Sequence, residues 1–168
     1  MAHINDIYKR KEVLAFLAVT STSNSGGTDV TTTTNFRMRK FTSLSQSKNP
    51  QEYSRQYVDE DFQRADVVGY SPQIAYNFDY HYLNPVHTRI KDITDNELTG
   101  DDAVVDIIWA DTVSGEAYKR SYSVIPDTEG DNLNAYTYSG NFRARGAAVK
   151  GTAASSDDWS TCTFTPEE

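Results

Sequence analysis

Gln73-Ile74-Ala75-Tyr76-Asn77-Phe78-Asp79-Tyr80-His81-Tyr82 decides the fold class. Ile74, Tyr76, Phe78, Tyr80 and Tyr82 alternate with smaller or polar residues. A period of two held this long predicts a half-buried strand. Immediately after it, Leu83-Asn84-Pro85-Val86 changes the period. Asn84 is a capping residue, Pro85 suits the first helical position, and Val86, Ile90 and Ile93 fall on one helical face before Gly100. One helix is therefore expected over about residues 85–97.

Downstream, Val105, Ile107 and Trp109 alternate, Asp111 to Gly115 make a turn, and Tyr118, Tyr122 and Val124 alternate again. This predicts a hairpin. Tyr136 to Ala144 and Trp159 to Thr165 read as further strands, and the apolar run Val13 to Val19 as a buried one. Asn35 to Phe41 and Glu52 to Val58 read as two strands joined by a turn at Ser47-Lys48-Asn49-Pro50. The sum is a mainly β fold. It is a two-sheet sandwich or barrel of about eight strands with one flanking helix, forming a single domain over residues 1–168. Three segments have no core to bury in such a domain. They are a polar arm at residues 1–12, a Ser/Thr/Gly-rich flexible loop at 20–34, and a projecting hairpin at 42–52.

Composition narrows the role. The net charge is −8, which disfavours phosphate binding. The single cysteine, Cys162, rules out an intrachain disulfide. No glycosylation sequon occurs, and Met1-Ala2-His3-Ile4-Asn5-Asp6 lacks the basic-then-apolar order of a signal peptide. Assembly in a reducing cytoplasm is expected. The longest apolar run is far too short to span a membrane as a helix.

Chemistry is sparse. His81 and His87 flank the strand-to-helix corner beside Asp79, with His81 expected to face solvent, but no third ligand with metal-binding spacing follows. Cys162 sits in an alternating strand with no base in view and reads as a small core residue. The acids from Asp92 to Asp106, and Asp127, Glu129 and Asp131, lack a calcium-loop pattern and read as a solvated face or a channel lining. No catalytic residues, metal or cofactor are expected, and an enzyme is disfavoured. Arg37 and Arg39, and Arg143 and Arg145, are localised basic strands on an acidic chain. They are candidates for contact with acidic faces of identical copies.

Residues 13–166 resemble, in the order of their segments, the major tail (tail tube) proteins of long-tailed bacteriophages. An early apolar strand precedes a long hairpin loop. Tyr70-Ser71-Pro72-Gln73-Ile74-Ala75-Tyr76 leads into the alternating strand and the helix capped at Asn84-Pro85-Val86. A hairpin ending Ser123-Val124-Ile125-Pro126, then Tyr138-Ser139-Gly140-Asn141-Phe142-Arg143-Ala144-Arg145-Gly146, precedes the closing Thr-rich strand. The resemblance implies a structural virion protein stacked as hexameric rings into a tail tube. Its lumen would hold a tape-measure protein and later pass DNA without specific binding. It further implies terminator and initiator partners, a virion location, and loops bridging successive rings. The alternatives from the residues are a carbohydrate-binding or adhesion β-sandwich, and another tail part such as a terminator.

Overall fold

A computed structural model of the chain describes residues 6–130 and 132–168. The first five residues of the expected arm lie outside the described residues. Eleven strands and one α-helix are described. The strands are β1 (Val13–Ser25), β2 (Thr28–Arg37), β3 (Phe41–Ser47), β4 (Pro50–Arg55), β5 (Arg64–Tyr70), β6 (Gln73–Asp79), β7 (Val104–Asp111), β8 (Glu116–Glu129), β9 (Thr137–Ala144), β10 (Val149–Ala154) and β11 (Thr161–Pro166). The helix α1 (Pro85–Asp95) lies between β6 and β7. Nine strands form one antiparallel sheet in the order β10-β11-β2-β1-β7-β8-β9-β6-β3, and β4 and β5 pair with each other in a second, two-stranded sheet.

The large sheet closes on part of itself. Strand β10 pairs with β11 on one side and with residues 116–119 of β8 on the other. A ring of six strands, β8-β7-β1-β2-β11-β10, results. It encloses Leu14, Phe16, Ile108, Ala110, Ala117, Ala153 and Cys162, sealed by Trp159 and Phe164. The opposite face of the same strands carries Ala15, Leu17, Val105, Ile107, Tyr122 and Val124. These pack with Ile74, Tyr76 and Phe78 of β6, with Tyr138 and Phe142 of β9, and with Val86, Ile90 and Ile93 of α1. Alternation along β1, β7 and β8 therefore feeds two cores, one per face.

The helix forms where the sequence places it. The Asn84 side-chain oxygen accepts from the Val86 and His87 backbone N–H groups, and Pro85 occupies the first turn. Its apolar stripe buries Val86, Ile90 and Ile93 completely. His87, beside them on the first turn, is also fully buried. Its Nδ1 accepts from the His81 backbone N–H at 3.1 Å. Its Nε2–H donates to the Arg39 carbonyl at 2.9 Å. The ring stacks on Phe78 with centroids 4.2 Å apart. Both nitrogens have roles only the neutral ring can fill.

Three sequence expectations change. Residues 20–34 are not a flexible loop. They are the distal halves of β1 and β2, paired from Ser25↔Thr28 inward. Gly26 and Gly27, at φ 66° and 85°, make the two-residue turn, and Asn24 donates to Asp29 across it. Residues 42–52 are not a hairpin either. Their first part, β3, pairs with β6, and their last part belongs to β4, which pairs with β5. The hairpin that stands out is thus residues 50–70. Finally, the arm's end is tied down. The Glu12 carbonyl accepts from Thr112 N–H, Tyr8 Oη donates to Asp111, and Arg10 lies over Trp109.

Burial holds the His87 pKa down at about 4, against an ordinary value near 6.5. The unfolded chain therefore takes up this proton first as pH falls. The stabilisation is complete above about pH 6.5 and is lost as pH falls toward 4, by on the order of 3 kcal/mol. Urea unfolding at pH 7.5 and 4.5 should show that loss. His87→Gln, though less stable at both pH values, should show a correspondingly smaller difference. An unchanged difference in the variant would refute the role given to His87.

Candidate assembly surface

Three elements leave the two cores and present unpaired backbone. The first is the distal β1–β2 ribbon. β7 pairs with β1 only over residues 13–17, and β11 with β2 only at Asn35 and Phe36. Beyond these, among the described residues, 19–25 and 28–34 pair only with each other. Thr20 and Thr33 share a hydroxyl hydrogen bond at 2.9 Å, and nearly every side chain toward the tip is exposed. β-Branched threonines favour the strand conformation, but they give the ribbon no apolar core.

The second element is the β4–β5 hairpin. Asn49 and Ser71 join its base by two hydrogen bonds, Ser71 N–H to the Asn49 carbonyl and Asn49 Nδ2 to the Ser71 carbonyl. Every residue of β4 is exposed. Tyr53, Tyr57, Val58, Phe62, Val67, Val68 and Tyr70 are all exposed large hydrophobic residues, Phe62 at 82%. An isolated two-stranded hairpin is marginal in water, so this one is incomplete by itself. A run of exposed apolar side chains of this extent marks an interaction surface.

The third element is β3, the free edge of the large sheet. Phe41 and Leu44 turn inward against the helix-side core, while among the described residues no strand lies beside the other edge of its backbone. Open edges of this kind are where another chain adds.

The four arginines lie in two separate places. Arg37 is half-buried on β2, and burial, with Arg39 nearby, lowers its pKa. Arg39 donates to Ser160 Oγ at 3.0 Å. Arg143, on β9, is exposed. Arg145 makes a 2.9 Å ion pair with Asp101. An exposed pair of this kind contributes little stability. Sequence reasoning picked out charged strands and passed over the aromatic hairpin beside them. The signal was there in Tyr53, Tyr57, Phe62, Val67, Val68 and Tyr70.

The remaining candidate chemistry resolves into structure. Among the described residues no group of three or more His, Cys, Asp or Glu side chains is arranged to hold a metal. His81 is exposed, as expected, and His87 is a buried structural ring. Both tryptophans pack against the cores, Trp109 on the helix side and Trp159 inside the six-stranded ring. Neither is an open platform for a sugar. Cys162 is buried, and burial pushes its thiol up to about 11.

No protein-family model matches the chain, and no curated protein matches it. Among solved structures, a chain in the cryo-EM structure of the anti-feeding prophage baseplate, 6-fold symmetrised, is similar with a TM-score of 0.45 and 8% identity. The similarity covers 89% of this chain and 97% of that one.

A thiol so buried and so basic is a poor nucleophile. Cys162 should stay unmodified by a thiol-specific reagent at pH 8 in the native protein and react at once in denaturant. Rapid labelling of the native protein would contradict its place in the core.

Proposed function

We propose that the chain is a structural subunit of a virion tail, polymerising as stacked hexameric rings into the tail tube through which DNA is ejected. The observation that carries this reading is the pair of unsupported hairpins beside a free sheet edge. The body has two complete cores, yet residues 18–34 and 50–70 project from it with little or nothing beneath them. Both gain most by lying on another copy. The order of the sequence segments, which resembles that of major tail proteins, supports the same reading.

The physical scheme follows. A heterologous contact repeated around an axis closes a ring, and a second one stacks rings. The β3 edge is suited to continue a sheet into a neighbour. The projecting hairpins are suited to reach across rings. Arg143, exposed on β9, is available to meet an acidic face of the next copy. With a net charge of −8, a lumen lined by acidic residues would let DNA slide without binding. The tape-measure protein, the initiator and the terminator would be the further partners, and no catalytic step is required.

Negative-stain microscopy of the concentrated protein tests the proposal. Rings or tubes of uniform diameter are expected, appearing above a threshold concentration. Strict monomers at every concentration, salt and pH tried would overturn it. Discrete rings that never stack would favour a terminator over a tube.

A further inference from the structure

An opening of about 320 Å³ lies where the free-edge strand β3 comes over β7 and β8. Its walls include Val13, Ala148 and Tyr118, and Gln46 and Lys48 stand at its rim, both exposed. Trp109 and Arg120 form its polar side. Three of their donors have no hydrogen-bond partner although water does not reach them: Trp109 Nε1–H, and Nε–H and Nη1 of Arg120. The Tyr122 hydroxyl lies beside Arg120, Trp109 and Gln46, whose hydrogen bonding offsets part of the rise that burial causes in its pKa, but it leaves the three donors of Trp109 and Arg120 short of a well-made bond. A buried donor left unmade is costly, and a guanidinium especially so. One hydroxyl oxygen cannot satisfy three donors, and neither Trp109 nor Arg120 has an acceptor to offer, so a further acceptor would complete the site. The acids lining the opening do not supply it: Asp111 is occupied by Tyr8 and by the Val113 and Ser114 N–H groups, and Glu116 makes no hydrogen bond to these donors.

The geometry points to a carboxylate-receiving site, filled by the tip of the β4–β5 hairpin of a second copy of this chain. This inference rests on the self-assembly reading above and names one of its contacts. The tip reads Val58-Asp59-Glu60-Asp61-Phe62. Glu60 is taken by Arg64 at 2.5 Å. Asp59 and Asp61 make no hydrogen bond or ion pair among the described residues. Val58 and Phe62 beside them are exposed. Free carboxylates flanked by apolar side chains complement unmet donors flanked by apolar walls. The hairpin's six-residue strand β4 carries the tip about 20 Å outward, enough to reach a neighbour. Entry requires Gln46 and Lys48 to move aside. Gln46 reaches the Tyr122 hydroxyl and would give up that contact, and the long Lys48 side chain is held by no described hydrogen bond. The Arg120 guanidinium then turns toward the incoming acid.

Sedimentation velocity of the full-length chain over a concentration series tests this. Arg120→Gln removes the guanidinium from the mouth, and Asp59→Asn with Asp61→Asn removes the two free carboxylates from the tip. Each should weaken self-association by about ten- to a hundredfold, as for a charged hydrogen bond lost from a buried site. Combining mouth and tip changes in one chain should weaken it little further, because they remove the same contact. A mixture of the mouth variant with the tip variant should regain pairing, since one intact mouth still meets one intact tip. Thermal melting monitors folding. If Arg120→Gln does not fold, Trp109→Phe removes one donor and keeps the ring, and a severalfold weakening is expected from it. Wild-type assembly with all variants unaffected, or with additive effects and no rescue on mixing, would overturn this contact and leave the polymer reading standing. A wild-type chain that stays monomeric throughout would overturn both.

Discussion

Strand β8 shares its edges among three neighbours, and the rest of the structure depends on that division. One edge pairs with β7 from Ala117 to Ser123. The other is split, with residues 116–119 going to β10 and residues from Tyr122 onward to β9. A strand's backbone offers one ladder per side, so the sheet must fork where β10 ends and β9 begins. The fork curls β7, β1, β2, β11 and β10 into a closed ring. It sends β9, β6 and β3 the other way, over α1. Because side chains alternate, Ala117 serves the ring interior while Tyr122 and Val124 serve the helix side. Close contacts protect the arrangement. A Cβ on Gly140 would lie 2.5 Å from the Ile125 carbonyl oxygen and 2.7 Å from Tyr76 Oη, so only glycine lets β9 approach β8 beside Pro126.

Once both cores are filled, the chain still has long segments left over. The distal β1–β2 ribbon and the β4–β5 hairpin keep every local feature of strand pairing and almost none of the burial that normally stabilises it. The ribbon holds itself by cross-strand hydroxyl bonds and a double-glycine turn. The second hairpin holds itself by Arg64–Glu60 and by Arg55, which lies over Tyr57. These are exposed interactions worth little each. The molecule is stable in its middle and unfinished at its extremities, which is the layout expected of a subunit.

Much of this was legible in the sequence where one face of a strand is buried and the other is not. The Ile74-to-Phe78 alternation, the Asn84-Pro85 cap and the 104–125 hairpin stand where the pattern placed them. Elsewhere burial is slight and the pattern goes silent. Serine and threonine mask alternation in the 20–34 segment, so it reads as a loop, although Gly26-Gly27 between β-branched runs is a hairpin signal. β5 and β10 carry no clear pattern because few of their side chains meet a core. The strand expected over Asn35 to Phe41 is divided between the end of β2 and the start of β3, and its expected partner, β4, pairs with β5 instead. The pairing of β3 with β6 is set by Phe41 and Leu44 reaching the helix-side core, a fact of tertiary packing. His87 stands in the first turn of α1, and its complete burial follows from partners in the β6–α1 connection and at Arg39.

The central claim is that residues 18–34 and 50–70 are completed by other copies of the chain. Hydrogen–deuterium exchange of the protein at low and at high concentration measures this segment by segment. Strong added protection confined to those two segments and to the β3 edge, with the β7–β8 core unchanged, is the predicted result. Equal exchange of both hairpins at every concentration, in a sample that has demonstrably associated, would contradict it.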